Sequence, residues 1–206
     1  MNQVAVDHSD FATPLVTPAA RAGWGRLAML LFLASDAMTF GGLLTGTLVL
    51  RAHSSDWPNP ASTLALTLGL VMTVLLLASS LTIQQALSAA RRSQRRHFRF
   101  FLLLTIGAGI AFLVLQAYEW VHLLSEGMTL HGNPWGAPLF GATFYTLTGF
   151  HGLHVLAGVV YLLAILRYGL KRSELATCHE SVEMAGLYWH FVDIVWLFVF
   201  TCVYML

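Results

Sequence analysis

The chain has 206 residues, of which 57% are hydrophobic and 10% are charged, and its mean hydropathy is +0.68. Because a soluble domain carries about 25% charged residues, this composition predicts an integral membrane protein and excludes a soluble globular domain. The formal net charge of +1 gives no reason to expect a nucleic-acid partner.

Five segments are long and apolar enough to cross a membrane, since a bilayer core of about 30 Å requires about 20 residues of helix. We expect these spans at about 27–50, 64–88, 100–123, 138–166 and 184–206. Residues 1–26 form a polar tail without the apolar core and cleavage site of a signal peptide. Residues 27–206 then form a single transmembrane domain. The predicted fold class is an all-α, polytopic bundle of five helices.

Basic residues lie almost entirely on one side of this predicted bundle. Ten of the eleven Lys and Arg residues fall in the tail and in the second and fourth loops, and only Arg51 falls on the other side. By the positive-inside rule, the N-terminus is cytoplasmic and the C-terminus external. The arginine-rich loop RRSQRRHFR is better explained by topology and anionic lipid headgroups than by nucleic-acid binding.

Glycines in two spans predict close approach of neighbouring helices. They lie in FGGLLTG on the first span and in GAGI on the third. Small residues let the backbones of membrane helices pack closely. We therefore expect Gly41, Gly42, Gly46, Gly107 and Gly109 at helix interfaces.

Polar and ionisable residues occur inside or near the ends of the spans, several of them at helical spacing. An acidic side chain at the membrane centre costs about 2.5–3.5 kcal/mol, and lipid cannot satisfy its hydrogen bonds. Residues three or seven positions apart share one face of a helix, so we expect these faces to turn inward and bond across the bundle. The residues concerned are Asp36, Gln116, Glu119, His151, His154, Glu183, His190 and Asp193.

Three classes of function are compatible with this pattern. A redox enzyme could bind haem b between His190 and either His151 or His154, and a proton or solute transporter could use the acids as a relay. A non-catalytic subunit could use the same residues to fix the register of its helices. Two histidines three residues apart on one helix cannot take opposite axial positions of one haem, and no third ligand for a copper or zinc site stands out.

Four motifs together resemble the signature regions of subunit III of the haem–copper respiratory oxidases. They are SDAMTFGG (35–42), QAYEW (116–120), TGFHGLHVLAG (148–158) and YWHFVDIVWLFVFTCVYML (188–206). The resemblance covers the chain from about residue 24 to the end. It implies the five-helix bacterial form of this subunit.

The resemblance implies an accessory subunit that carries no haem, no copper and no catalytic residue. Haem and copper are then expected in partner subunits I and II, with subunit I as the main contact and other small subunits nearby. The complex would reduce oxygen to water in the bacterial plasma membrane and pump protons, while this chain supports stability and proton uptake. A V-shaped cleft filled with phospholipids would separate spans 1 and 2 from spans 3 to 5.

Residue roles follow the same resemblance. Asp36 matches a membrane-embedded Glu of many members, and with Arg51 and Trp57 it is a candidate for the proton-uptake side or the lipid cleft. The remaining intramembrane polar residues are expected to be structural.

The electron donor stays open. Cytochrome c is favoured over quinol, and a subunit III-like protein of a nitric oxide reductase is a further alternative. Membership of a respiratory supercomplex is also open.

Overall fold

A computed structural model of the protein describes residues 18–171 and 179–206, and their regular secondary structure is entirely helical. The elements are α1 (Pro18–His53), α2 (Pro60–Thr63), α3 (Leu66–Arg91), α4 (Arg95–Ser125), α5 (Leu139–Lys171) and α6 (His179–Phe200), followed by a wider π-helical turn (Thr201–Met205). Five segments are long and apolar enough to span a membrane, namely Trp24–His53, Leu66–Arg91, Arg95–Ser125, Leu139–Arg167 and Glu180–Met205. The predicted all-α bundle of five spans is confirmed.

The helices extend beyond the predicted spans at several ends. α1 begins at Pro18 instead of residue 27, because proline is well suited to a first helical turn, where its missing N–H costs nothing. The predicted tail therefore includes the first turns of α1, and its residues 1–17 lie outside the described residues, as does Arg172.

A tight turn joins α3 to α4 into a helical hairpin. Ser93 has a φ of 55°, a left-handed conformation that reverses the chain within a few residues. On the α3 side, Ala86, Ala89 and Ala90 are buried, and these small side chains allow the two helices to pack closely.

The helices pack in an order that differs from the predicted two-wall partition. α3 packs most closely against α4, which the prediction placed across the cleft, and α6 packs against α1, α3 and α5. α1 packs against α5 and α6. A buried polar contact holds α1 to α5, and ring stacking holds it to α6. The division into spans 1 and 2 against spans 3 to 5 is therefore wrong for this chain.

Trp189 lies at the centre of the bundle between glycines of two neighbouring helices. A Cβ atom at Gly109 would lie 2.7 Å from Cη2 of Trp189, and one at Gly158 would lie 2.9 Å from its Cζ3. The indole Nε1 donates a hydrogen bond of 2.8 Å to Ser79 on α3. Gly109 thus has the packing role that its motif predicted, because any larger residue would displace the indole.

The other predicted packing glycines do not contact another helix in this way. A Cβ atom built at Gly41, Gly42, Gly46 or Gly107 would meet no atom within 4 Å. Those on α1 lie on exposed positions of the bundle. The prediction that they bring helices of this chain together is wrong, because the buried side of α1 is the one that carries Leu33, Asp36 and Phe40.

Candidate functional site

Asp36 on α1 and His154 on α5 form a buried polar pair. Oδ1 of Asp36 lies 3.2 Å from Nε2 of His154, and Asp36 is only 8% exposed. Nδ1 of His154 lies 2.7 Å from the carbonyl oxygen of Phe150. Since a carbonyl only accepts, Nδ1 carries a proton and donates it. Nε2 is then the ring nitrogen that faces the carboxyl group of Asp36.

Aromatic rings enclose this pair. The rings of Phe40 and Phe150 lie 5.2 Å and 4.7 Å from that of His154, measured between centroids. Tyr188 on α6 donates a hydrogen bond of 2.8 Å to the carbonyl oxygen of His154. The Asp36 pair thus joins α1 to α5, and the Tyr188 hydrogen bond joins α6 to the same turn of α5.

Glu119 on α4 binds the last turn of the chain. The hydroxyl group of Tyr204 donates a hydrogen bond of 2.6 Å to Oε2 of Glu119, and both side chains are buried. Tyr204 was not singled out from the sequence, because it lies in a uniformly apolar motif and the π-helical turn that positions it has no sequence signal. The bond ties the π-helical turn after α6 to the C-terminal part of α4.

Gln116, one turn away from Glu119, binds α5 instead. Its Nε2 donates to the carbonyl oxygen of Thr148 at 2.5 Å, and the indole of Trp120 donates to the hydroxyl group of Thr148 at 3.2 Å. A Cβ atom at Gly152 would lie 2.8 Å from Oε1 of Gln116, so the glycine provides the space for the amide. The inward-facing side chains of QAYEW therefore link α4 to two different elements.

His151 is fully buried, and the ring of Phe40 is the ring contact that it shares with His154. Its ring lies 5.5 Å from that of Phe112 and 5.0 Å from that of Trp196. Within the described part of the chain, neither of its ring nitrogens has a hydrogen-bond partner. The two histidines of TGFHGLHVLAG are thus directed to different surroundings, His151 into the aromatic core and His154 towards α1.

His190 and Asp193 on α6 meet Ser80 on α3. The Ser80 hydroxyl group lies 2.8 Å from Nδ1 of His190 and donates to Oδ2 of Asp193 in a short hydrogen bond. Nε2 of Gln84 lies 3.5 Å from Nε2 of His190. We call Ser80, Gln84, His190 and Asp193 the α3–α6 cluster. Ser80 and Gln84 were missed in the sequence, where their spacing of four residues within a span was the available signal.

Glu183 lies at the end of the bundle where α1 and α6 begin. Its Oε1 is 3.9 Å from Nη1 of Arg26, whose side chain is 61% exposed. An exposed ion pair at this distance contributes little to stability. Helix α6 begins at His179 and places Glu183 in its first turns, near the start of the segment Glu180–Met205 that could span a membrane.

Arg51 and Trp57 lie near the opposite end of the bundle from Arg26. Arg51 is in the last turn of α1, and its Nη1 is buried with no hydrogen-bond partner within residues 18–171 and 179–206. The ring of Trp57 packs perpendicular to that of Phe140, with centroids 5.5 Å apart. Fifteen residues of helix separate Asp36 from Arg51, about 22 Å, so the three candidates do not form one site.

The positions of the His, Cys, Asp and Glu side chains can be compared with the needs of a metal or haem site. In the described part of the chain, no three His, Cys, Asp or Glu side chains come close enough to hold a metal ion. The structure brings His190 to Ser80 and His154 to Asp36. The polar side chains therefore connect helices to one another instead of converging on one cavity.

Comparison with known proteins identifies related chains. A sequence model of the family described as cytochrome c oxidase subunit III matches residues 15–206. A protein named cytochrome c oxidase subunit 3 from Thermostichus vulcanus is 35% identical over 181 residues, 87% of this chain and 86% of the relative.

Two further relatives have the same name. The protein from Corynebacterium diphtheriae is 34% identical over 208 residues and covers 98% of both chains. The one from Synechocystis is 38% identical over 180 residues, 86% of this chain and 74% of the relative.

Proposed function

The chain belongs to the cytochrome c oxidase subunit III family, so it is a multi-pass membrane component of a haem–copper oxidase complex, and we propose that it is the non-catalytic subunit of a bacterial cytochrome c oxidase. In this proposal subunits I and II hold the haem and copper and reduce oxygen to water. This chain lies beside subunit I in the plasma membrane and keeps the pumping complex stable and supplied with protons.

One observation carries the non-catalytic assignment. The buried acids of the spans contact polar side chains of other helices or turns within the protein. Asp36 faces His154, Glu119 binds Tyr204, and Asp193 binds Ser80. Each contact joins two elements distant in sequence, which is how a polar group is accommodated in a membrane bundle. A redox site would instead need side chains that converge on a vacant cavity.

Cytochrome c is the proposed electron donor, because the relatives described above are named cytochrome c oxidase subunit 3. An affinity tag on this chain tests both the donor and the partners. The purified complex should contain haem and copper, include a subunit II with a copper-binding domain, and oxidise reduced cytochrome c. A complex that oxidises quinol and lacks this domain would contradict the proposed donor.

We propose that phospholipids bind along the outer surface of the bundle. A groove of about 250 Å³ lies between α1 and α5, with Gly42 and Gly46 in its lining. Leu50 lines its outer end, next to Arg51 in the sequence. An acyl chain fits an apolar groove of this kind, and the guanidinium group of Arg51 is suited to a lipid phosphate.

Lipid analysis of the purified complex tests this site. Arg51→Gln should reduce the amount of tightly bound anionic lipid by about one molecule per chain, because a single guanidinium group is removed. The wild-type complex, purified in the same way, is the reference. An anionic lipid content of Arg51→Gln equal to that of the wild-type complex would contradict the site.

A further inference from the structure

We propose that the α3–α6 cluster is a proton-exchange site, in which His190 takes up a proton at its outer nitrogen and Asp193 stores it. The proposal rests on the proposed function, in which this chain helps to supply the oxidase with protons. Its chemistry depends only on the geometry of Ser80, His190 and Asp193.

The three side chains form a continuous hydrogen-bonded path from the surface of the bundle to its interior. His190 and Ser80 are both partly exposed, and Asp193 is only 4% exposed. Ser80 is bonded on one side to Nδ1 of His190 at 2.8 Å and on the other to Oδ2 of Asp193. The exposed amide of Gln84 lies next to Nε2 of His190, which marks this nitrogen as the outer end of the path.

Two proton arrangements satisfy the path, and they differ by one proton. In the first, Asp193 is a carboxylate, the Ser80 hydroxyl group donates to it, and Nδ1–H of His190 donates to Ser80. Nε2 of His190 then has a free lone pair. In the second, Asp193 is a carboxylic acid that donates to Ser80, Ser80 donates to Nδ1, and Nε2–H faces outward.

Uptake of a proton at Nε2 converts the first arrangement into the second. A new N–H bond forms at Nε2, the N–H bond at Nδ1 breaks, and its proton passes to the oxygen of Ser80. The original hydroxyl proton of Ser80 passes to Asp193 and forms an O–H bond. Serine and a neutral imidazole are recovered, while the cluster gains one proton and loses one negative charge.

The depth of the cluster suits exchange with one side of the membrane. His190 is seven residues and Asp193 ten residues from Glu183, so they lie about 10 Å and 15 Å further along α6. Glu183 lies at the end of the bundle with Arg26, the end that the positive-inside rule places in the cytoplasm. Since the bilayer core is about 30 Å thick, the path leads from the cytoplasmic half towards the membrane centre.

Other titratable groups on neighbouring helices are engaged elsewhere. α6 packs against α1, α3 and α5. Asp36 of α1 and His154 of α5 face one another, and His151 of α5 is enclosed by Phe112 and Trp196. Glu119, on α4, binds Tyr204. The observed hydrogen bonds of the α3–α6 cluster involve none of these groups, so the hydrogen-bonded path of the cluster does not run through them.

Infrared spectroscopy of the complex, purified through a tag on this chain, tests the proposal. The carbonyl stretch of the protonated Asp193 carboxyl group shifts when its hydrogen is replaced by deuterium, and Asp193→Asn identifies the band by removing it. Ser80→Ala should slow this exchange at least about tenfold, equivalent to a barrier higher by about 1.4 kcal/mol. Ser80→Thr, which keeps the hydroxyl group, should restore it, and Ser88→Ala on the same helix should leave it unchanged.

Several results would overturn the relay. Exchange in Ser80→Ala at the wild-type rate would show that Asp193 does not depend on Ser80 for its proton. Failure of Ser80→Ala and His190→Gln to accumulate, while Ser88→Ala accumulates, would identify the cluster as a folding element instead. Haem content and oxygen consumption of the same samples test the proposed function separately, because the exchange rate of Asp193 does not depend on either.

Discussion

Gly107 and Gly109 lie two residues apart on α4, but only Gly109 faces a packed interface. A Cβ atom at Gly109 would lie 2.7 Å from both Cη2 of Trp189 and Cγ2 of Val159, whereas one at Gly107 would meet no atom within 4 Å. Carbon atoms normally approach to about 3.5–4.0 Å, so Gly109→Ala requires shifts of about 0.8 Å. Overpacking of this kind typically costs about 1–3 kcal/mol.

The surroundings of Trp189 determine whether this cost can be relieved. Gly158 closes the other side of the indole, and the hydrogen bond to Ser79 holds its edge, so the ring cannot swing away freely. Alanine is favoured over glycine in a helix by about 1 kcal/mol, but this term cancels between two substitutions within the same helix. We therefore expect Gly109→Ala to be less stable than Gly107→Ala by about 1–3 kcal/mol.

Reversible unfolding of the two variants in mixed micelles, by titration with a denaturing detergent, measures this difference. Gly107→Ala is the matched control, because it changes the same residue type in the same helix. Equal free energies of unfolding, or a lower value for Gly107→Ala, would refute the packing of Trp189 between α4 and α5.

Three further predictions follow from the buried contacts. Tyr204→Phe removes the hydrogen-bond donor to Glu119 and should lower the free energy of unfolding by about 1–3 kcal/mol, measured in the same titration. Tyr118→Phe is the control, because the Tyr118 side chain is 64% exposed. An equal loss of stability in the two variants would contradict this prediction. Asp36→Ala should leave assembly largely intact, because apolar contacts still hold α1, but should shorten the time for which the oxidase stays active under continuous turnover. Loss of the whole complex from the membrane would instead indicate a folding role. The isolated subunit should show neither haem absorbance nor stoichiometric copper, and a Soret band of one haem per chain that disappears in His151→Ala would contradict the non-catalytic assignment.

The number and type of helices could be predicted from the sequence because the membrane imposes a length and a composition on each span. Their ends could not be located as well. Hydropathy marks where a helix enters lipid, while the helix itself continues past that point, as α1 does at Pro18 and α4 at Arg95. The sequence also could not predict which helix packs against which, since spans that are apolar on every side do not indicate which neighbour they contact.

The polar sites show the same limit. Spacing correctly placed His190 and Asp193 on one face of a helix, but their partner Ser80 lies 110 residues or more away in the sequence. Tyr204 was missed for a different reason, because a tyrosine in an apolar segment gives no sign that its hydroxyl group meets an acid on another helix. The spacing of His151 and His154 indicated one face, whereas small differences in direction took them to separate environments.

The central claim is that this chain supports an oxidase without carrying a redox centre. Purification of the oxidase from cells that lack the chain tests it directly, with the haem and copper content and the course of oxygen consumption as the measurement. We expect unchanged haem and copper per complex and a nearly normal initial rate, followed by faster loss of activity during turnover. Loss of haem or copper in proportion to the missing chain, or an activity that lasts as long as that of the complete complex, would contradict the account.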